Sequence, residues 1–366
     1  MRVLLTATSL RPSYGGPAYS VSQLAAALGA GGVEVGVWAA DGSANSELLA
    51  SDSNASRLHG GLREAIAGFA PDVVHDNGLW LAHNHRVAEL ARLAGIPRLV
   101  SPRGMLEPWA LRHKGWKKQL AWRLYQRRDL ERAAALHATA APEAANLAPF
   151  GFAAAIHTIP NGVDIPPPRL QPNRPPGAAR MALFLGRLYP VKGLPMLVEA
   201  WARTRPRGWR LVIAGPDEAG HQAVVERAVR IAGLGEAVSF AGPVAGDTKA
   251  DLLAAADLVV LPSHSESFGM AVAEALAHAT PVLTTTAVPW PALETRSCGW
   301  RAPPTADGFA AALGRACLED PATLHAMGLA GRAYVAETLG WERIAAEFAT
   351  LYERLLGSRA ATLRAA

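Results

Sequence analysis

Short, largely apolar runs that alternate with helix-favouring stretches are the feature that most restricts the fold of this chain. Each run ends at a glycine, a proline or a polar loop. A strand without polar alternation is buried on both faces, as in a parallel sheet covered by helices. We therefore expect an α/β protein of repeating strand–helix units. The runs lie at residues 3–8, 33–39, 72–76, 99–101, 136–140, 181–185, 210–214, 238–241, 258–261 and 281–284.

The length predicts two domains, since 366 residues exceed what one core usually organises. Residues 165–177 hold six prolines and no periodicity, which is typical of a linker. We predict an N-terminal domain at 1–164, a C-terminal domain at 178–340 and a long amphipathic helix at 341–356. Two such domains imply a ligand cleft between the ends of their sheets.

Composition excludes several classes of protein. No apolar segment approaches the roughly 20 residues that span a bilayer, and the first ten residues predict a strand rather than a signal peptide. The two cysteines, Cys298 and Cys317, predict neither a metal site nor a disulfide framework, which fits the cytoplasm. A net charge of +5 favours a polyanionic partner or a phosphorylated substrate.

The stretch 256–283 places a carboxylate where a parallel sheet could bind a ligand. Leu258–Leu261 predicts a buried strand, Glu266 lies in the following polar loop, and a helix-favouring segment from Gly269 contains Glu274. Parallel sheets bind ligands at the carboxyl ends of their strands, and helix N-termini favour phosphates. Carboxylates accept hydrogen bonds from hydroxyls, so a sugar nucleotide is a natural ligand. The alternative is an ordinary strand–helix unit with solvated carboxylates.

Two further loops carry groups suited to a diphosphate. Arg187 and Lys192 follow one predicted strand and could both reach one diphosphate if the loop curls around it. Gly15 and Gly16 precede a predicted helix at 17–28 and would let backbone approach a ligand. Each feature by itself also fits a plain solvated loop or turn.

Residues 106–132 combine basic and aromatic side chains. The composition fits a helix on an anionic membrane, a stacking surface for single-stranded nucleic acid, or a solvated basic face with tryptophans in the core. Of the two binding interpretations we expect the membrane, not nucleic acid. The residues concerned are Trp109, Trp116, Trp122, Tyr125, Arg112, Lys114, Lys117, Lys118, Arg123, Arg127, Arg128 and Arg132.

The motifs together resemble the retaining glycosyltransferases of family 4, which have the two-Rossmann-domain fold called GT-B. The resemblance rests on Gly186-Arg187-Leu188 with Lys192-Gly193, and on Glu266 and Glu274 around Ser267-Phe268-Gly269. Residues 160–164, Pro-Asn-Gly-Val-Asp, resemble the family's interdomain crossover. The resemblance implies that the C-terminal helix, 341–366, returns to the first domain.

The resemblance also implies roles for individual residues. Arg187 and Lys192 would neutralise the donor diphosphate as it leaves, and Glu266 would hold hydroxyls of the donor sugar. Glu274 would bind the ribose, and Gly15 and Gly16 would close on the diphosphate from the other domain. The remaining predicted contacts are Gly186, the backbone of Ser267, Phe268, Gly269 and Met270, and, near the nucleobase, 242–244 with Val244.

One departure from the family concerns the histidine that many members carry on the N-terminal domain. Arg103 occupies its approximate position here, and a guanidinium cannot act as a base at neutral pH. It could bind an anionic acceptor or a phosphate. His75, at another strand end, is the nearest alternative titrating group. The chain has no Asp-x-Asp motif, and no residues near His83 and His85 complete a metal site, so we expect neither metal nor cofactor.

These observations predict a metal-independent, retaining glycosyltransferase that uses a UDP- or GDP-sugar. The expected acceptor is a lipid-linked oligosaccharide, such as one carried on polyprenyl diphosphate, for surface polysaccharide. The expected location is the cytoplasm, at the inner face of the membrane. A sugar-nucleotide epimerase of the same fold is one alternative, and a non-catalytic sugar-nucleotide-binding scaffold is another.

Overall fold

The structure, a computed structural model, describes residues 1–45, 47, 49, 54–112, 115–167 and 177–365. The chain forms two compact units. The first unit comprises residues 1–162 and 341–366, and the second comprises residues 163–340. Most of the predicted linker, residues 168–176, lies outside the described ranges.

The first unit is built on a seven-stranded sheet with the order β3-β2-β1-β4-β5-β6-β7. All its neighbouring strands are parallel. After β3 the chain crosses to the other side of β1, so the sheet has its topological switch point between β1 and β4. The strands are β1 (Arg2–Ala7), β2 (Glu34–Ala39), β3 (Ala55–Leu58), β4 (Val73–Asn77), β5 (Arg98–Ser101), β6 (Ala135–Ala138) and β7 (Ala155–Thr158).

Helices connect these strands, as parallel pairing requires. A π-helical turn, Trp122–Gln126, joins α5 to α6 within one continuous segment. The helices of this part are α1 (Gly16–Ala30), α2 (Leu62–Phe69), α3 (Ala82–Leu93), α4 (Pro108–Arg112), α5 (Gly115–Ala121), α6 (Arg127–Glu131) and α7 (Ala141–Leu147).

The second unit repeats the architecture with a six-stranded parallel sheet of order β10-β9-β8-β11-β12-β13. Its switch point lies between β8 and β11. The strands are β8 (Arg180–Leu185), β9 (Trp209–Ala214), β10 (Val238–Gly242), β11 (Leu258–Leu261), β12 (Val282–Thr285) and β13 (Gly299–Ala302). The helices are α8 (Leu194–Thr204), α9 (His221–Ile231), α10 (Gly246–Ala255), α11 (Met270–Ala277), α12 (Ala292–Thr295), α13 (Ala306–Leu318) and α14 (Pro321–Thr338).

The last helix, α15 (Trp341–Ala365), packs into the core of the first unit. Its buried side chains recur at helical spacing and share a cluster with β1, β2 and α1. They are Ile344, Ala345, Phe348, Leu351, Tyr352 and Leu355. Burial of this stripe removes apolar surface from water and joins the end of the chain to its beginning.

The predicted fold class, two doubly wound α/β domains, is confirmed. The apolar runs are central strands with both faces covered: every residue of Leu258–Leu261 is buried. Three strands were not predicted from the sequence: β3, β7 and β13. All three are short edge strands that contain a polar residue, Arg57, His157 and Arg301 respectively, so none shows the apolar run of a buried strand.

Candidate functional site

The candidate site of the second unit lies at the carboxyl ends of β8 and β11, the two strands that flank its switch point. The loop after β8 carries Gly186, Arg187 and Lys192, and the loop after β11 carries Glu266. The backbone N–H of His264 donates to the carbonyl of Val191 at 2.8 Å, which joins the two loops directly. Ligands of open α/β sheets bind at such a point.

Gly193 ends the first of these loops in a conformation that requires glycine. Its φ is +68°, and a Cβ placed there would lie 2.1 Å from the carbonyl oxygen of Pro262. The missing side chain therefore lets the β8 loop approach the β11 loop closely enough for their side chains to meet.

We expect Gly193→Ala to destabilise the protein by about 2–4 kcal/mol, because the methyl group meets backbone and the φ is unfavourable. Urea unfolding measures the loss. Gly235→Ala is the control, since no atom lies within 4 Å of its Cβ position and its φ is not positive. Equal stability of the two variants would contradict the close approach.

Lys192 and Glu266 form an ion pair at the meeting point of the loops. The Lys192 ammonium donates to Glu266 Oε1, and the Ser263 hydroxyl donates to the same oxygen at 2.8 Å. Both side chains are largely shielded, with 17% and 13% of their surfaces exposed. The structure thus brings together two predicted site residues that are far apart in the chain.

Arg187 lies in the same loop but has a partner that the sequence analysis did not find. Its Nη1 donates to Glu218 Oε2 in the loop after β9, and about 40% of each side chain is exposed. Gly215, also after β9, lies so close that a Cβ would be 1.9 Å from the Gly186 carbonyl oxygen. The guanidinium is therefore held at the edge of the site, within reach of solvent.

Glu274 pairs with Lys249 across two helices. Lys249 Nζ of α10 donates to Glu274 Oε1 of α11 at 2.7 Å, and 13% of the glutamate is exposed. Lys249 was not predicted, because a single lysine in a helical segment carries no signal of its partner. The pair places a second carboxylate and a second ammonium on the helices next to the switch point.

The segment 267–270 leads into α11. Gly269 has a φ of +87° and precedes the first residue, Met270, whose side chain is half-buried. Phe268 is 6% exposed, its ring packs on Trp290 at 5.4 Å, and its carbonyl accepts from Trp290 Nε1 at 2.6 Å. The Phe268 side chain therefore belongs to the core and holds the loop in place. Val244, after β10, is half-buried against the core.

Gly15 and Gly16 lie at the switch point of the first sheet. They follow the short 3-10 helix Pro12–Tyr14 in the connection after β1, and Gly15 has a φ of +81° before α1 begins at Gly16. The geometry is that of a tight strand-to-helix turn with small residues. A role at the diphosphate stays a prediction.

His75 lies inside the first unit and has no exposed surface. Its Nδ1 is 2.8 Å from the Tyr352 hydroxyl of α15, and its Nε2 is 2.7 Å from the Ser101 hydroxyl. Burial, with His137 and Arg103 nearby, holds its pKa well below the ordinary value. Both nitrogens serve the packing of α15, so the structure does not place this residue where a substrate could reach it.

Arg103, in the loop after β5, joins the end of β4 to the loop after β7 at the carboxyl edge of the first sheet. Its Nε and Nη2 donate to Asn77 Oδ1 at 3.1 and 2.8 Å, and its Nη1 donates to Asn161 Oδ1 at 2.6 Å. Its φ is +54°, unusual for a side chain of this size. Burial lowers its pKa to about 10, so it remains a cation at neutral pH. It cannot act as a base, which agrees with the expectation from its residue type.

Glu107 is a titratable group that the sequence analysis did not single out. Its Oε2 accepts from Asn146 Nδ2 at 2.5 Å. Burial and the neighbouring Glu143 carboxylate raise its pKa to about 7. Glu143 itself is buried and accepts from the backbone N–H of Gly104 and Thr139 at 2.6 and 2.7 Å. The sequence around Glu107, a single glutamate before a proline, does not indicate that Glu143 and Asn146 lie beside it.

Comparison with known proteins places the chain in a family. A family model described as "Glycosyl transferases group 1" matches residues 179–319, and a "Glycosyl transferase 4-like domain" matches residues 15–162. A D-inositol 3-phosphate glycosyltransferase of Arthrobacter sp. (strain FB24) is 30% identical, with 91% of this chain and 88% of the relative covered. The chain belongs to the group 1 glycosyltransferases.

Other relatives of this group 1 glycosyltransferase match over shorter segments. A D-inositol 3-phosphate glycosyltransferase of Kineococcus radiotolerans is 37% identical over 57% of this chain, and the match spans about half, 54%, of that relative's length. Among solved structures, sucrose-phosphate synthase from Thermosynechococcus elongatus superposes with a TM-score of 0.81 at 23% identity, covering 98% of this chain and 100% of that one. Anabaena HepE, in complex with UDP and glucose, has a TM-score of 0.74 at 20% identity, covering 97% and 100%.

In this group 1 glycosyltransferase, one family model matches within the first unit and the other matches within the second. Both units carry predicted site residues. The predicted residues Gly186, Arg187, Lys192, Glu266 and Glu274 all belong to the second unit, around one switch point. Gly15, Gly16 and Arg103 lie at the corresponding edge of the first unit, and His75 lies in its interior. Glu218, Lys249 and Glu107 are the additions that only side-chain geometry revealed.

Proposed function

We propose that this protein is a retaining, metal-independent glycosyltransferase that moves a sugar from a UDP- or GDP-sugar to an acceptor hydroxyl. The observation that carries the proposal is the Lys192–Glu266 pair at the switch point of the second sheet. The ammonium can pair with the diphosphate of a sugar nucleotide, and the adjacent carboxylate can accept hydrogen bonds from the hydroxyls of its sugar. Family membership and the neighbour solved with UDP and glucose support the same donor class.

The ion pairs explain how the donor would bind. The diphosphate carries negative charge that can take the place of the carboxylates on Lys192 and Arg187. Glu266 is then released to accept hydrogen bonds from hydroxyls of the sugar, and Glu274 to accept them from the ribose. The backbone N–H groups at the start of α11 face the same edge and favour anionic oxygens. No cofactor is needed for this chemistry.

The reaction proceeds on one face of the sugar. The bond between the anomeric carbon and the diphosphate oxygen breaks, and the acceptor oxygen bonds to that carbon from the same side. The departing phosphate oxygen takes the proton of the acceptor hydroxyl, so the configuration is retained and no protein base is required. Lys192 and Arg187 stabilise the charge that develops on the leaving group. Arg103 then serves as a fixed cation for an anionic acceptor.

A binding screen tests the function. We expect UDP or GDP and one of their sugars to bind with micromolar affinity and to raise the unfolding temperature, with Mg²⁺ chelation having no effect. Isothermal titration calorimetry and thermal shift with UDP-, GDP- and ADP-sugars measure this, and release of nucleotide on adding octyl glycosides measures transfer. Binding without transfer to any acceptor would favour a scaffold, and interconversion of the donor sugar would favour an epimerase.

The proposed acceptor is an oligosaccharide linked to a lipid, which motivates a position at the inner membrane surface. Among the described helices, none combines the length and apolarity needed to cross a bilayer. The segment 115–131 nevertheless exposes Trp116, Leu120 and Leu124, one helical turn apart, at 69%, 53% and 58%. Lys117 lies over the Trp116 ring, and Arg127 is 62% exposed. An apolar stripe between basic residues fits an anionic membrane surface.

Not every tryptophan of the basic aromatic segment is available to a membrane surface. Trp122 packs on Trp80, Phe150 and Phe152, so it belongs to the core rather than to a contact surface. We expect Trp116→Ser with Leu120→Ser and Leu124→Ser to abolish flotation with vesicles containing anionic phospholipid, because the exposed stripe is lost. The control is Leu318→Ser, which removes a leucine of the second unit that is 87% exposed. Flotation of the triple variant at the wild-type level would contradict membrane contact through this stripe.

A further inference from the structure

The switch point of the first sheet holds a histidine that the proposed reaction does not yet use. Thr8 follows β1 directly, and His83 is the second residue of α3, which follows β4. β1 and β4 are the neighbours between which the strand order reverses. The same β1 connection contains Gly15 and Gly16. This is the place where open α/β sheets bind their ligands, and it corresponds to the donor site of the second unit.

Two side chains, one at the end of β1 and one in β2, lie against the His83 imidazole. Its Nε2 lies 3.2 Å from the Thr8 hydroxyl. Its ring centroid lies 6.4 Å from that of Trp38 in β2, and the Trp38 indole is itself fixed by donating to the Gly60 carbonyl at 3.2 Å. The side chain is half-buried, so it is oriented by its neighbours and still open to solvent on one side.

The imidazole is neutral and has a free ring nitrogen. Burial lowers the pKa of His83, so the ring is unprotonated at neutral pH. Within the ranges that the structure describes, Nε2 bonds to Thr8 and Nδ1 has no hydrogen-bond partner. The charged side chains on the neighbouring loops, Arg11 and Asp41, pair with each other at 3.3 Å. A neutral ring beside a hydroxyl suits a neutral polar ligand better than an ion.

The other histidines at this edge differ in this respect. His75 has both nitrogens bonded inside the core. His85, two residues after His83 on α3, faces α6 and bonds to Asp129 at 2.8 Å. His83 and His85, for which the sequence predicts no metal site, have partners on different elements. His83 is therefore positioned toward the switch point and His85 toward a structural contact.

We propose that His83 and Thr8 bind a hydroxyl of the acceptor sugar at the switch point of the first sheet. A sugar hydroxyl both donates and accepts, so it can bond to Nδ1 whichever nitrogen carries the ring proton. Thr8 holds the ring in place through Nε2. This inference rests on the proposed glycosyltransferase function, and it assigns the acceptor side of that reaction to particular residues.

Acceptor kinetics with octyl glucoside and octyl galactoside test the assignment. Loss of one hydrogen bond between uncharged groups should raise the acceptor KM of His83→Ala about tenfold, and His83→Gln should recover part of the loss. Affinity for UDP or GDP, measured by calorimetry, should not change. The control is His59→Ala, an exposed histidine of the same unit. An acceptor KM of His83→Ala equal to that of the wild type would overturn the proposal.

A second measurement does not depend on turnover. In protein labelled with ¹³C-histidine, the imidazole signal that disappears in His83→Gln should shift when octyl glucoside is added. If the wild type binds no nucleotide but this signal shifts, the proposed donor chemistry fails and the acceptor subsite stands. If nucleotide binds and transfer occurs but no glycoside moves the signal, the subsite is wrong and the function stands.

Discussion

Glu266→Gln should lower kcat by about a thousandfold, and Lys192→Met by about a hundred- to a thousandfold. Both groups lie at the switch point, both are largely shielded from water, and they bond to each other. Glutamine keeps the size of the side chain but loses the charge that strengthens hydrogen bonds to the donor sugar. Methionine keeps the length of lysine but leaves the diphosphate without a counter-charge. Initial rates of transfer, with the donor found by the binding screen, measure both effects.

The double variant Lys192→Met/Glu266→Gln should have a kcat within about threefold of the kcat of the slower single variant. The two effects should not multiply, because the two residues form a pair and do not act independently. The matched control is Arg203→Met, which breaks an exposed pair with Glu199 in the same unit. Exposed pairs contribute little, so its rate should stay at the wild-type value. Single variants at Lys192 and Glu266 that fold normally and keep more than a tenth of the activity would remove these residues from the mechanism.

Acid should unfold the first unit through its buried histidines. His137 Nε2 lies 2.7 Å from the carbonyl oxygen of Ile159, and Nδ1 lies 2.6 Å from the Ser101 hydroxyl. Since His137 Nε2–H must donate to the carbonyl, its Nδ1 accepts a hydrogen bond from the Ser101 hydroxyl. The Ser101 oxygen then accepts from His75 Nε2–H, and His75 Nδ1 accepts from the Tyr352 hydroxyl. This chain of hydrogen bonds exists only while both rings are neutral.

The pH dependence follows from the depressed pKa values. Burial lowers the pKa of His137 to about 3 and holds that of His75 well below 6.5. The unfolded chain therefore binds these protons first, so the stabilisation is complete above pH 6.5 and is lost as the pH falls towards 3. Each histidine should contribute a slope of about 1.4 kcal/mol per pH unit in that window. Urea unfolding between pH 7.5 and 4.5 measures the slope.

Substitutions separate this effect from that of other groups. His137→Gln should lower stability at pH 7.5 by about 1–3 kcal/mol through the lost hydrogen bonds, and its slope below pH 6.5 should be shallower by one proton. Tyr352→Phe should weaken the attachment of α15 by about 1 kcal/mol while keeping the slope. His59→Gln, on the surface, should match the wild type. A His137→Gln slope equal to that of the wild type would refute the assignment.

Much of the fold could be predicted from local patterns. The predicted helix 17–28 corresponds to α1, and the predicted helix 341–356 is the first part of α15. The strand at 258–261 was predicted with its observed bounds. Local patterns succeed here because central parallel strands are apolar throughout and amphipathic helices repeat every three to four residues. Edge strands such as β3 have neither property.

The sequence predicted most of the residues of the candidate site but few of the contacts between them. Lys192 and Glu266 could be named because each follows a strand end with a glycine nearby, and the resemblance to a family connected them. Arg187 was named too, but its partner Glu218 was not. Lys249, the partner of Glu274, was not predicted either, because no motif surrounds it in the sequence. Ion pairs between distant segments leave no periodic pattern, so only the folded arrangement shows them.

The sequence by itself determined the class of fold and the chemistry available at each strand end, because burial pattern and residue type are local properties. Only the tertiary structure decided which strand ends are neighbours. β8 and β11 lie side by side although β9 and β10 come between them in the chain, and this places Lys192 against Glu266. The same cause buried His75 under α15 and left His83 at the open switch point. Strand order sets these contacts, and it is fixed by packing over the whole sheet rather than by any one segment.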